Sequence, residues 1–226
     1  MENIFKEIFS GDLDEIKKII ESGENINIQD KDKRTPLIHA VIDNNLEIIK
    51  ILIESGVDVN FQDSLGYASL HYSAQNYLID VAKVLLENKA VVDIKDIYGN
   101  TPLFKAVFNS KGRGEVISLL LSFGADMNLQ NNSGVSPLQL ANTIGNFDVT
   151  KFMKWYTIRL SIYLLNLLCA PKNKLFASSV NSDLIEDRIM TWILKLIHTF
   201  YRKERRLKYD ANNNYSFCLV YCICSK

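Results

Sequence analysis

The chain has 226 residues, 26 Lys and Arg balanced by 26 Asp and Glu, and 47% apolar residues, a composition that excludes a disordered polymer and is ample for a buried core. The neutral total hides a division. Residues 1–154 carry 15 Lys and Arg against 21 Asp and Glu, a net of −6, and residues 155–226 carry 11 against 5, a net of +6, so the two parts differ physically and the first lacks the basic stripe that nucleic-acid binding needs.

In chain order, residues 2–31 read as a first unit of two short helices. Ile4, Phe5, Ile8 and Phe9, then Leu13, Ile16, Ile19 and Ile20, each place their apolar groups on one stripe. Gly23 closes the second helix by accepting positive φ. The N-terminal sequence is acidic and has no long apolar stretch, so it does not read as a secretory signal.

A second unit spans 32–64. Thr35-Pro36 predicts an N-cap followed by proline at the first helical position, Asn44-Asn45 breaks the helix, and a second helix follows from Leu46 to Ile53. That second helix is apolar over most of its circumference and requires burial on two sides. Adding 33 carries Thr35 to Ala68 and Thr101, and Leu37 to Leu70 and Leu103. Units therefore follow at 65–97, 98–132 and, in part, 133–154. In the fourth unit the step from Lys89 to Gly124 is 35, so two residues are inserted around Lys111-Gly112-Arg113-Gly114, between its helices. The turns joining the units place Gly66, Gly99 and Gly134 where a left-handed residue is needed, and Lys33 stands at that place in the first. Asp58, Asp93 and Asp126 are read as loop-structuring groups recurring at the repeat period.

From Trp155 the pattern changes. Helices are expected at about 155–170 and 183–206, with an uncertain, strand-like tail over 211–226. The apolar run 155–170 is short for a bilayer span and contains Arg159 and Asn166; it reads as a helix packed on the last repeat. The helix at 183–206 has one apolar stripe, with Asp183, Glu186 and Asp187 at its start and Arg202, Lys203, Arg205 and Arg206 at its end. Its preferred reading is a helix covering the end of the array, with membrane contact the weaker one. All four cysteines lie after residue 154, at 169, 218, 222 and 224, and the last three do not have a usual zinc spacing.

A 33-residue period with a turn and two helices per unit, and a Thr-Pro-Leu-His-x-Ala core seen in Thr35–Ala40 and, imperfectly, in Ala68–Ser73, Thr101–Ala106 and Ser136–Ala141, resembles the ankyrin repeat family. The resemblance covers about residues 1–154. It implies an all-α ankyrin-repeat solenoid of helix-turn-helix units joined by β-turn loops, here with a helical C-terminal extension. It also implies that His71, at the family's histidine position, hydrogen-bonds within the turn network; Ile38 holds that position in the second unit, and His39 is one place off.

The same resemblance implies non-catalytic protein binding through a concave face of turn tips and first-helix ends. The expected contact residues are Arg34, Asp43, Leu65, Tyr67, Gln75, Asn76, Ile97, Tyr98, Asn100, Phe108 and Asn109. Leu65, Tyr67, Ile97, Tyr98 and Phe108 are large apolar groups at places the fold should leave exposed, which favours a protein ligand over a nucleic acid. No nucleophile elbow, phosphate loop, HExxH or paired-carboxylate pattern occurs, so no enzyme, cofactor or metal is expected. The chain is expected to be a cytoplasmic monomer of inhibitor, immunity or scaffold type, with signal-less export left open. The alternative is an ankyrin-type effector or adaptor whose repeats bind a target while the basic C-terminal helix engages a membrane or a second partner.

Overall fold

In a computed structural model, residues 3–144, 148–154 and 156–157 are described. The expectations for helices at 155–170 and 183–206 and for the tail over 211–226 fall, apart from Tyr156 and Thr157, outside the described residues. The chain separates into two compact units, residues 1–159 and 160–226, and the following concerns the first.

The described residues form α1 (Asn3–Ser10), α2 (Leu13–Glu21), α3 (Pro36–Ile42), α4 (Leu46–Glu54), α5 (Ser69–Asn76), α6 (Ile79–Glu87), α7 (Pro102–Phe108), α8 (Glu115–Ser122) and α9 (Pro137–Thr143), with further helical residues at 150–154 and 156–157. No strand occurs among them. Each odd-numbered helix from α1 to α7 packs on the even-numbered helix that follows it. The odd-numbered helices also pack on one another in succession from α1 to α9, and α4, α6 and α8 form a second row. This is an all-α ankyrin solenoid.

Local sequence chemistry sets the helix starts. Thr35, Thr101 and Ser136 each accept a backbone N–H three residues on, from Ile38, Phe104 and Gln139 at 3.2–3.3 Å, with proline next in all three. Ala68 has no such group. There the His71 N–H donates to the Ala68 carbonyl at 2.9 Å, and the His71 ring reaches back, its Nδ1 accepting the Ala68 N–H at 3.1 Å. Asp12 and Asn45 cap α2 and α4 in the same way as the threonines.

The core runs continuously along the array. Leu37, Leu70 and Leu103 are each the second residue of their helix, α3, α5 and α7, and all are buried, so they occupy equivalent sites. Ile48, Ile49 and Leu52 of α4 are buried, with Ile51 and Ile53 partly buried against them, as expected of a helix held between neighbours. In the fifth unit Val149 and Met153 are buried, and residues 150–154 and 156–157 are helical.

The inserted residues lie between α7 and α8, where six residues intervene against three between α3 and α4. The lengthened loop is covered by the fifth unit, because the Phe152 ring sits directly on the Cα of Gly114 and leaves no room for a Cβ.

The outer loops correct one expectation. Asp58 and Asp126 do occupy equivalent places, each accepting the N–H two residues on, from Asn60 and Asn128 at 2.9 and 2.8 Å. Asp93 does not join them. It falls in register with Asn27 and Asn60, and these three bond forward to the next unit: Asn27 Oδ1 accepts from Asp58 N–H at 3.1 Å, Asn60 Oδ1 from Val91 N–H at 2.7 Å, and the Asp93 carboxylate from Asp126 N–H at 3.1–3.2 Å. The apparent period from Asp93 to Asp126 is a coincidence, because the insertion lengthens that step to 35.

Candidate functional site

The turns that carry the exposed tips are four copies of one hydrogen-bonded loop. The acidic or amide side chains of Asp30, Asp63, Asp96 and Asn131 each accept two backbone N–H bonds through Oδ1, from the residues two and four places on, all between 2.8 and 3.0 Å. In each, the first residue's N–H donates to the fifth residue's carbonyl. The fourth residue is left-handed: Gly66, Gly99 and Gly134 at φ 73°, 76° and 74°, and Lys33 at φ 61°. Lys33 thus adopts the glycine conformation despite its Cβ. At Gly66 a Cβ would also lie 2.8 Å from the Ile97 nitrogen, so both backbone conformation and close stacking demand glycine there.

Each acidic turn side chain has a second oxygen, and the first helix, nine residues on, supplies its partner. Asp30 Oδ2 accepts from His39 Nε2 at 2.8 Å, Asp63 Oδ2 from the Tyr72 hydroxyl at 2.5 Å, and Asp96 Oδ2 from Lys105 Nζ at 3.0 Å. His39 is therefore not a displaced copy of the family's histidine. It holds a different place, the one that locks the turn to its helix.

The charges on this seam are strongly shaped by it. Burial disfavours the Asp96 carboxylate, but the Asn100 N–H and the Lys105 ammonium outweigh burial and hold its carboxyl below the ordinary range. Burial likewise opposes the Lys105 charge, and the Tyr67 hydroxyl and Asp96 outweigh it, so Lys105 stays protonated. Tyr72 is pushed up to about 12 by burial and then by its bond to Asp63. His71 is wholly buried, and burial pushes it down to about 4. Its ring is neutral: Nδ1 accepts from Ala68 N–H, so Nε2 carries the proton and donates to the Asn100 carbonyl at 3.1 Å. Hydrogen bonding of His71 within the turn network is thus present, and it reaches into the next unit.

Among the expected contact residues, the second and third places of the turns protrude. Leu65, Ile97 and Tyr98 are 43%, 52% and 57% exposed, and Phe108, at the end of α7, is 66% exposed. Asp43 and Asn76 are exposed, and Gln75 and Asn109 are half-buried. The fifth place turns inward, because its N–H and carbonyl both bond back to the first residue of the turn. Asn100 is accordingly buried, its amide bonded to Asp96 Oδ2 and Asn131 Nδ2. Tyr67 is half-buried, stacked on His71 with ring centroids 5.3 Å apart and bonded through its hydroxyl to Lys105. Arg34 is half-buried with its Nη1 3.7 Å from Asp32. Tyr67 was expected to be exposed, and the backbone geometry of the turn is the reason it is not.

The tips are contiguous. Ser64 N–H donates to the Asp32 carbonyl at 2.9 Å, Ile97 N–H to Leu65 at 3.2 Å, and Asn132 N–H to Tyr98 at 3.0 Å. Phe9, expected on the apolar stripe of the first helix with Ile4 and Ile8, is instead a surface group. It is 63% exposed and lies one period before Ile42, itself exposed, in the row that ends with Phe108. The signal was the 33-residue spacing, applied only to units preceded by a turn. One edge of Phe9 rests on His39, centroids 5.2 Å apart.

Two family models match the chain, one described as ankyrin repeats (3 copies) over residues 5–96 and one as ankyrin repeats (many copies) over residues 79–121. No curated protein matches it.

Proposed function

The chain belongs to the ankyrin repeat family, whose members are generally protein–protein interaction modules, and on that premise we propose that it is a non-catalytic binder gripping a protein partner through its turn tips and first-helix ends. The observation that carries this reading is the exposure of Leu65, Ile97, Tyr98 and Phe108 on two consecutive units whose tips are joined by a backbone hydrogen bond. Large apolar groups held on a rigid frame and ringed by amides such as Asn76 and Asn109 have the make-up of binding anchors within a polar rim. Tyr67 and Lys105 lie beneath this patch and hold it in place. Their charge and hydroxyl are already engaged, so they act as support.

The test compares proteins captured by the immobilised full chain with those captured by Tyr98→Ala/Phe108→Ala and by Lys83→Ala, which changes an exposed residue of α6. Loss of a specific captured protein in the double variant only, with helicity and melting unchanged, is the expected result. Equal capture by the double variant removes this assignment of the face.

A further inference from the structure

The first tip, residues 31–34, differs from the others in ways its own fold does not require. Its sequence is Lys31-Asp32-Lys33-Arg34, where the next tips read Ser64–Tyr67 and Ile97–Asn100. Lys33 takes a left-handed corner that glycine fills in the other three turns, and an L side chain there costs stability. Both lysines are exposed, and neither ammonium has an ion-pair or hydrogen-bond partner among the described residues. The ion pair at the tip among the described residues, Arg34 to Asp32, is long at 3.7 Å, and Arg34 Nε has no hydrogen-bond partner among them. Two uncompensated cations thus stand out on a repeat region whose net charge is −6.

The backbone points the same way. At the next three tips the equivalent N–H, of Ser64, Ile97 and Asn132, donates to the tip before it. The N–H of Lys31, at the equivalent place of the first tip, has no partner among the described residues. The first tip therefore presents an open donor beside two exposed ammonium groups. It continues through hydrogen-bonded tips to Leu65 and then to Ile97 and Tyr98.

We infer that the partner lies along the tips in one orientation, with carboxylates at the Lys31–Lys33 tip and apolar side chains on Leu65, Ile97 and Tyr98. This deepens the proposed function and rests on it. The ligand is a protein segment in which Asp or Glu residues lie to one side of an apolar or aromatic stretch. The charges set orientation and the salt dependence of binding, and the apolar end supplies most of the affinity.

A phage-displayed library of random linear peptides panned on the full chain tests both levels. Selected peptides are expected to carry acidic residues on one side of an apolar stretch and to lose binding to Tyr98→Ala/Phe108→Ala. They should bind Lys31→Ala/Lys33→Gly about tenfold more weakly, the scale of two exposed ion pairs, and more weakly as salt is raised. The glycine relieves the strained corner, so this variant should melt no lower than the parent and its weaker binding is not a folding defect. Peptides lost on Tyr98→Ala/Phe108→Ala but indifferent to Lys31→Ala/Lys33→Gly, or without acidic residues, overturn the inference and leave the binding face standing. Peptides indifferent to Tyr98→Ala/Phe108→Ala, or no enrichment at all, overturn both.

Discussion

At the scale of single residues, His71 shows how one side chain ties pH to stability. Its ring is neutral and spends both nitrogens, accepting from Ala68 and donating to Asn100. Burial disfavours the charged ring and outweighs the bond to the Asn100 carbonyl, which is why its pKa lies near 4 when an ordinary histidine titrates near 6.5. Between those values the unfolded chain takes up a proton that the folded chain refuses. Stability is therefore fully present above pH 6.5 and declines as pH falls to about 4, by roughly 3 kcal/mol for a shift of this size. Denaturant midpoints measured from pH 7 to 4 should fall through this window. In His71→Gln that leg should flatten, because a glutamine at the equivalent place in the fifth unit, Gln139, makes the same cap through Oε1 at 2.8 Å. A histidine at this place was legible from the sequence, as was the need for hydrogen bonds. Its reach into the fourth unit was not, because the acceptor is a backbone carbonyl 29 residues away.

At the scale of elements, the repeating loops were legible wherever a residue is fixed by its own backbone, as with Thr35 and Pro36 at a helix start or Gly23 at a helix end. They were illegible where neighbouring loops decide. Counting from the turn acid marked the second, third and fifth places as surface, but the fifth place is folded back by two backbone bonds, which buries Asn100 and engages Tyr67. Asp93 was misplaced because the insertion in the fourth unit shifts its true counterpart by two residues. Its correct register yields a prediction. Burial pushes its carboxyl up, and Asp126 adds repulsion, while the Asp126 N–H bond opposes both. At the same place Asn60 accepts from the next unit and also donates its amide to the Lys89 carbonyl at 3.2 Å. Asp93→Asn should keep the accepted bond and remove the charge. A gain of about 1 kcal/mol or less is expected at pH 7, read from chemical denaturation, and the gain should shrink as acid neutralises Asp93 in the parent. A loss of stability at pH 7 would show that the loop needs the charge.

At the scale of the array, the described helices pack chiefly within their own unit and on the units next to it, so stability is close to a sum of unit and interface contributions. Position then decides how far damage travels. Leu103 in α7 is fully buried in the fourth unit, with the fifth unit packed beyond it, and Ile4 in α1 is buried in the first unit, which among the described helices packs on the second unit. Leu103→Ala should cost about 2–5 kcal/mol and lower protection against amide exchange from α3 to α9. Ile4→Ala should expose α1 and α2 and leave α5 to α8 close to their original protection. Equal loss of protection along the array in both variants would mean that the chain unfolds as one block.

The backbone-to-backbone bonds between neighbouring tips point one way, from the later N–H of Ser64, Ile97 and Asn132 to an earlier carbonyl. The strip is therefore polar in the sense of a filament: each joint takes hydrogen from the later tip and oxygen from the earlier one. An in-frame duplicate of residues 65–97 spliced behind the original would find an oxygen waiting and present one to its successor. Such lengthened chains should fold with every joint unchanged, whereas the same segment inserted backwards has no joint to make.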